Sequence, residues 1–194
     1  LDLEFEDQGP EPGAFYRLAW FFYLALALGG ALWVGWGRGE IPLELFVDFS
    51  SWWIDLGLGV GAGLALVAAW GVGHRLFSSL GQLEREIRRA VGPLESGEAI
   101  ALALISGFAE EFFFRGAMQS SWGWEWGVVI FALLHASPGT VFGIWMVYAL
   151  FAGALFAGLT LWRDNISAAF LAHFLVNAIH LRRIGRLPDT AEPE

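Results

Sequence analysis

Three groups of residues carry side chains that could do chemistry. Glu110, Glu111 and Arg115 stand in one apolar stretch, His135 in a second, and His173, Asn177 and His180 in a third. A carboxylate and an imidazole together can deprotonate a water molecule as general base. A second imidazole and an amide can hydrogen-bond a developing oxyanion. These are the parts needed to hydrolyse an amide without a covalent intermediate. A different use of the same atoms is also open, because Glu110, His135 and His173 could ligate zinc as a carboxylate and two imidazoles. No His-Glu-x-x-His zinc motif, Gly-x-Ser-x-Gly elbow or glycine-rich phosphate loop occurs.

Spacing orders these groups. Glu111 and Arg115 are four apart and fall about 40° from one another around a helix, so they can pair along one face. Glu110 points about 100° away from Glu111 and is left for chemistry. His173, Asn177 and His180, spaced four and three, share one stripe. A bland reading competes at each point. Glu111–Arg115 by itself is a buried ion pair that fixes helix register, and His74 and His180 read as ordinary histidines bonded to backbone carbonyls. That reading fails for Glu110, His135, His173 and Asn177 together, since one shared site explains four polar groups on three helices.

The elements that must hold these residues are membrane spans. The chain has 194 residues, of which 56% are hydrophobic and 16% charged, with 11 Trp and 17 Phe. Soluble domains carry about 25% charged residues. This composition excludes a soluble enzyme, a disordered chain and a nucleic-acid binder. With no Cys, there is no disulfide framework and no thiolate chemistry, and all 11 basic residues are Arg, so lysine chemistry is excluded too. The expected fold is all-α: a polytopic transmembrane helix bundle of about six spans. The spans fall near 14–36, 53–74, 98–120, 122–136, 140–162 and 166–181. The first reads as an anchor rather than a removed signal peptide. The second is rich in glycine (Gly57, Gly59, Gly61, Gly63), which permits close helix approach. The fourth stops at Ser137-Pro138-Gly139, and Asp164 or Asn165 is expected to cap the sixth.

Between the second and third spans, residues 75–91 interleave Arg75, Glu84, Arg85, Glu86, Arg88 and Arg89 with Leu76, Phe77, Leu80, Leu83 and Ile87. This is an amphipathic helix, lying on the membrane surface or serving as a solvated connector. With both termini in the cytoplasm, that side collects Arg17, Arg75, Arg85, Arg88, Arg89, Arg182, Arg183 and Arg186. Only Arg38 and Arg163 fall opposite, a positive-inside bias. The net charge of −9 lies largely at the ends, in Asp2, Glu4, Glu6, Asp7 and Glu11 and in Asp189, Glu192 and Glu194. The expected organisation is an acidic cytoplasmic tail over 1–13, one transmembrane domain over 14–181 with the reactive motifs in 99–181, and a cytoplasmic tail over 182–194.

At these motifs the chain resembles the CPBP family of intramembrane proteases, which includes CAAX prenyl endopeptidases and bacteriocin-processing or immunity (Abi) proteins. Glu110-Glu111-Phe112-Phe113-Phe114-Arg115 is similar to its Glu-Glu-x-x-x-Arg motif, Phe131 to His135 to Phe-x-x-x-His, and His173 to Asn177 to His-x-x-x-Asn. The resemblance covers 99–181. It implies a glutamic-type protease in which Glu110 and His135 activate the water and His173 and Asn177 form the oxyanion site, with Glu111 and Arg115 in support. It implies no cofactor, with zinc on Glu110, His135 and His173 as the alternative. The implied substrate is a membrane-embedded or lipidated protein or peptide, and no nucleic acid is involved. The Lys-free, Arg- and Trp-rich composition suggests a high-GC bacterium, hence its inner membrane. Sortase-like enzymes that remove C-terminal anchors, such as the myxosortase subgroup, are similar compact members. Two readings from other classes stand beside this one. A non-catalytic scaffold or immunity protein of the same fold would have little use for all four site residues. A small transporter would favour inverted repeats and broken helices, which the sequence does not show.

Overall fold

The computed structural model describes residues 13–136 and 140–188, with the backbone alone at 140–142. The acidic residues of both ends and the Ser137-Pro138-Gly139 break lie outside the described residues. The described chain is helical throughout, without a strand, and is the expected all-α membrane bundle. Three helices are long and apolar enough to cross a membrane: α1 (Ala14–Arg38), α2 (Trp52–Leu76) and α7 (Thr140–Arg163), the last over Gly143–Arg163. The other two long segments are the ones that carry polar motifs. One is α4 (Ser96–Glu111), continued without a break as a π-helix over Phe112–Gln119 and a closing turn, α5 (Ser120–Trp122). The other is α8 (Ser167–Gly185). The fourth expected span is shorter than the sequence suggests. It is α6 (Trp124–Leu134), 11 residues long, which at 1.5 Å per residue reaches only about half of a hydrocarbon core of about 30 Å.

Helix α8 is the hub. It lies against α2 on one side and α4 on the other, with α7 completing the packing. The α2 contact follows from two of the four glycines. A Cβ on Gly59 would stand 2.6 Å from the Leu171 Cβ, and one on Gly63 would stand 3.1 Å from the Ala172 carbonyl oxygen. Gly57 and Gly61 face away from this contact. Two helices thus meet backbone to backbone through small residues, as membrane packing favours where apolar burial drives nothing. Across the other contact, Gly107 of α4 admits the Phe174 backbone nitrogen at 3.2 Å from its absent Cβ.

The amphipathic segment is α3 (Ser79–Val91), ended by Gly92 at φ 76°. Its apolar face is turned to the bundle rather than to lipid or water. Leu80 and Leu83 pack on Trp70, with Ile87, Trp145 and Tyr148 beside them. Glu84 and Arg88 are buried as well. Glu84 accepts a hydrogen bond from the Trp70 indole at 2.9 Å and meets His74 Nε2 at 2.9 Å and Arg183 at 3.2 Å. His74 therefore faces a carboxylate, not the backbone carbonyl expected for it.

The opposite end is closed by a polar knot. Arg163, the last residue of α7, hydrogen-bonds through Nε to the buried Asp55 of α2 and through a terminal nitrogen to Ser51. Asn165 donates to Asp55 at 3.2 Å and accepts the Ser167 backbone N–H at 2.8 Å. Neither expected cap holds the N-cap position, which is Ile166; Asn165, one residue before it, accepts the N–H of the first helical residue. Asp164 instead takes a left-handed turn conformation, φ 55°. Asp48, in the loop before α2, accepts from Ser50 and Ser51 and sits 3.7 Å from Arg163. The Ser50 hydroxyl, then the Ser51 hydroxyl, hold the Asp48 carboxyl down from 3.8 to about 2.

Candidate active site

The polar motifs sit where α4, α6 and α8 converge, around two adjoining features: a buried dyad and a cavity. Glu111, fully buried, closes α4. One carboxylate oxygen takes the His173 Nδ1–H at 2.7 Å, and the other lies 3.2 Å from Arg115 Nε. The expected Glu111–Arg115 pair is present, at contact distance though without hydrogen-bond alignment. The change to π-helix begins one residue after Glu111 and contains Arg115. Such i→i+5 segments are rare and concentrate at functional sites. The guanidinium lies 4.5 Å from the Phe131 ring centre and donates to the Gly153 carbonyl of α7 at 3.1 Å. A side chain at Gly153 would meet it, with a Cβ only 3.3 Å away. Charge, ring face and backbone carbonyl together fix Arg115, and through it Glu111.

His173 is held in turn. Its ring stacks on Phe156 (centroids 5.1 Å apart, 19° between planes) and receives the edge of Phe131. With Nδ1 tied to Glu111, Nε2 points toward Glu110, whose Oε2 is 3.9 Å away. That oxygen is buried without a hydrogen-bond partner. The sequence placed His173 beside Asn177 as an oxyanion group; the structure places it between the two glutamates.

Glu110, His135, Asn177 and Ser106 line one cavity of about 170 Å³. Asn177 donates to Ser106 Oγ at 3.0 Å, leaving its second N–H for another acceptor. His135 caps α6, where the Nδ1 bond to the Phe131 carbonyl at 2.8 Å leaves Nε2 as the free nitrogen. The i to i+4 spacing of Phe131 and His135 thus supplies both the ring beneath Arg115 and the carbonyl that sets this tautomer. The cavity brings together the free carboxylate, the free imidazole and the amide, with the second imidazole behind Glu110.

One lining residue escaped sequence reasoning, and two more, Ser106 and His180, stand in contacts it did not assign. Tyr23 of α1 lies against Glu110, with its phenol directed at the carboxylate. Its signal was a polar tip in an otherwise apolar span. Ser106 of α4 is the partner of Asn177. His180, expected to be satisfied by the backbone, lines the cavity 5.2 Å from Trp70 with Nε2 unpartnered.

Among the described residues, no three of His, Asp or Glu are grouped to hold an ion, Glu110, His135 and His173 included. No step below is routed through one.

Residues 94–179 match the family model described as Rce1-like, type II CAAX prenyl endopeptidase Rce1-like. The match covers less than half of the chain and falls on the helices that carry all three motifs. It shows the resemblance that those motifs carry. No curated protein matches, and no solved structure matches.

Proposed function

From the Rce1-like character of residues 94–179, we propose that the chain is an intramembrane endopeptidase that hydrolyses its substrate with an activated water and without a metal. The observation that carries this reading is the convergence of Glu110, His135 and Asn177 on one cavity inside a membrane bundle. Glu110 takes the proton of the attacking water, the natural task of a buried carboxylate with an unpartnered oxygen. His135, its Nδ1–H fixed on Phe131, offers Nε2 to the same water. The oxygen of the tetrahedral intermediate is met by the free N–H of Asn177. His173, backed by Glu111, can share the water's proton at Nε2, and Glu110, which lines the cavity, passes it on to the leaving amine. Asn177 favours the metal-free course, since an amide is a good oxyanion donor and a poor zinc ligand.

The substrate we propose is a membrane-associated protein or peptide with a lipidated or hydrophobic segment, cut near that segment. A prenylated CAAX-type end, a C-terminal anchor and a bacteriocin-type leader are the candidates. The chain would sit in a bacterial inner membrane with both termini in the cytoplasm, as its arginines imply. The test is cleavage of a farnesylated CAAX peptide and of a C-terminal anchor peptide by the purified chain in liposomes. Cutting of either by the wild type and of neither by Glu110→Ala supports the proposal. Equal cutting by both proteins refutes it.

A further inference from the structure

We propose that the outer face of α8, where it meets α4, is a binding site for one anionic phospholipid. A groove runs there between Ile100 of α4 and Phe174, Leu175, Ala178 and Ile179 of α8, and ends among Arg182, Arg183 and Arg186. The apolar part lies on a helix of a membrane bundle, so a lipid acyl chain is its natural occupant. The arginines decide the headgroup. Arg182, in the last turn of α8, and Arg186, the residue that caps its end, stand four apart and are both exposed. A like-charge pair at this spacing disfavours the helix unless an anion lies between the two, and a phosphate accepts the forks of two guanidinium groups.

Among the described residues, the carboxylates at this end are engaged elsewhere. Glu84 holds Arg183, Trp70 and His74, and Glu86 pairs with Arg89. Glu95 and Glu98 form the capping box of α4. Arg186 makes only a long contact to Ser96, 3.4 Å. Two arginines thus remain to neutralise one phosphate at the mouth of an apolar groove.

The experiment uses the full chain in detergent. It is titrated with phosphatidylglycerol or with phosphatidylcholine of the same acyl chains while the melting temperature is followed. Phosphatidylglycerol should raise it by about 2–4 °C more than phosphatidylcholine does. The Arg182→Gln/Arg186→Gln double variant should respond alike to both lipids. Native mass spectra should show a phosphatidylglycerol adduct retained by the wild type and lost by the double variant, a reading independent of folding stability. Equal shifts for the two lipids in the wild type would overturn the proposal. A shift of the same size from glycerol 3-phosphate would also overturn it, because the groove would then contribute nothing. So would headgroup indifference that becomes a phosphatidylglycerol preference when residues 189–194 are removed, since the arginines would then belong to the chain's own acidic end. The site makes no use of the peptidase residues, so its outcome is separate from theirs.

Discussion

Two of the buried polar clusters in the bundle differ in how completely they are satisfied. In the Asp55 knot, both carboxylate oxygens have hydrogen-bond partners, from Arg163 and Asn165, and Asn165 also accepts the Ser167 N–H at the start of α8. In the Glu110–Glu111 cluster, Glu110 Oε2 and Arg115 NH1 are buried with no hydrogen-bond partner. A buried polar group without a partner costs about 1–3 kcal/mol, and more when charged. The knot can be understood as a staple between α2, α7 and α8. The cluster is poor as a staple, because a structural network would satisfy its members. Glu110 also lines a cavity, where a water or a substrate can meet its carboxylate.

This contrast can be broken at several points. The largest effect should come from His135→Ala, which removes the free imidazole. Turnover should fall by about 10²–10⁴-fold in a peptide-cleavage assay, while thermal unfolding stays within a degree or two of wild type. Asn177→Ala should follow, with a loss of about 10²–10³-fold, the usual consequence of removing one oxyanion donor. A loss below tenfold would assign Asn177 to packing against Ser106 instead.

Arg115→Ala probes the seam between the two kinds of cluster. It leaves Glu111 as a buried charge with His173 alone, so it should destabilise the protein by about 3–5 kcal/mol, read as lowered melting and lowered membrane yield. A stable, well-expressed and inactive Arg115→Ala would instead put the guanidinium in contact with substrate. Asp55→Asn should cost less, about 1–3 kcal/mol, because Arg163 keeps Ser51 and Asp48. Turnover per folded molecule should not change.

The smallest expected effect is on pH. Asp48 is held at about 2 when folded, against an ordinary 3.8. A carboxylate lowered by folding stabilises the fold fully above its unfolded pKa and loses that contribution as pH falls through the folded value. Acid unfolding followed between pH 5 and pH 2 should therefore lose a small increment over about pH 4 to 2 in the wild type, and Asp48→Asn should lack that increment.

Much of this was legible in the residues, for identifiable reasons. A 3.6-residue period and runs of apolar residues reveal helices, so α1, α2, α7 and α8 are found where hydropathy places them. Fixed i, i+4 spacings reveal faces, so Glu111–Arg115 and the His173–Asn177 stripe are found as well. Length fails where hydropathy runs past a helix end: the Ser137-Pro138-Gly139 break marks a stop, but the apolar run up to it does not show that the helix spans only Trp124–Leu134. Backbone type fails too, since the π-helix after Glu111 carries the same residue types as an α-helix. Contacts between distant helices are hidden in principle. Nothing in one span says that Tyr23 will reach Glu110, that Glu84 will bury itself beside His74, or that His173 will turn to Glu111. Those partners are chosen by packing, and packing here is set by small residues such as Gly59, Gly63 and Gly107, whose spacing is legible but whose partner helices are not.

The central claim is that the Glu110 carboxylate, with one oxygen unpartnered, does the chemistry, and Glu110→Gln tests it most directly. The amide keeps the shape and removes the base. Cleavage by the purified variant in liposomes should be measured beside its melting curve. The expected result is loss of turnover by at least about 10²-fold with a melting temperature equal to or above that of wild type, since a buried, incompletely paired charge has been removed. A Glu110→Gln protein that melts normally and still cleaves at a rate near wild type would contradict the account.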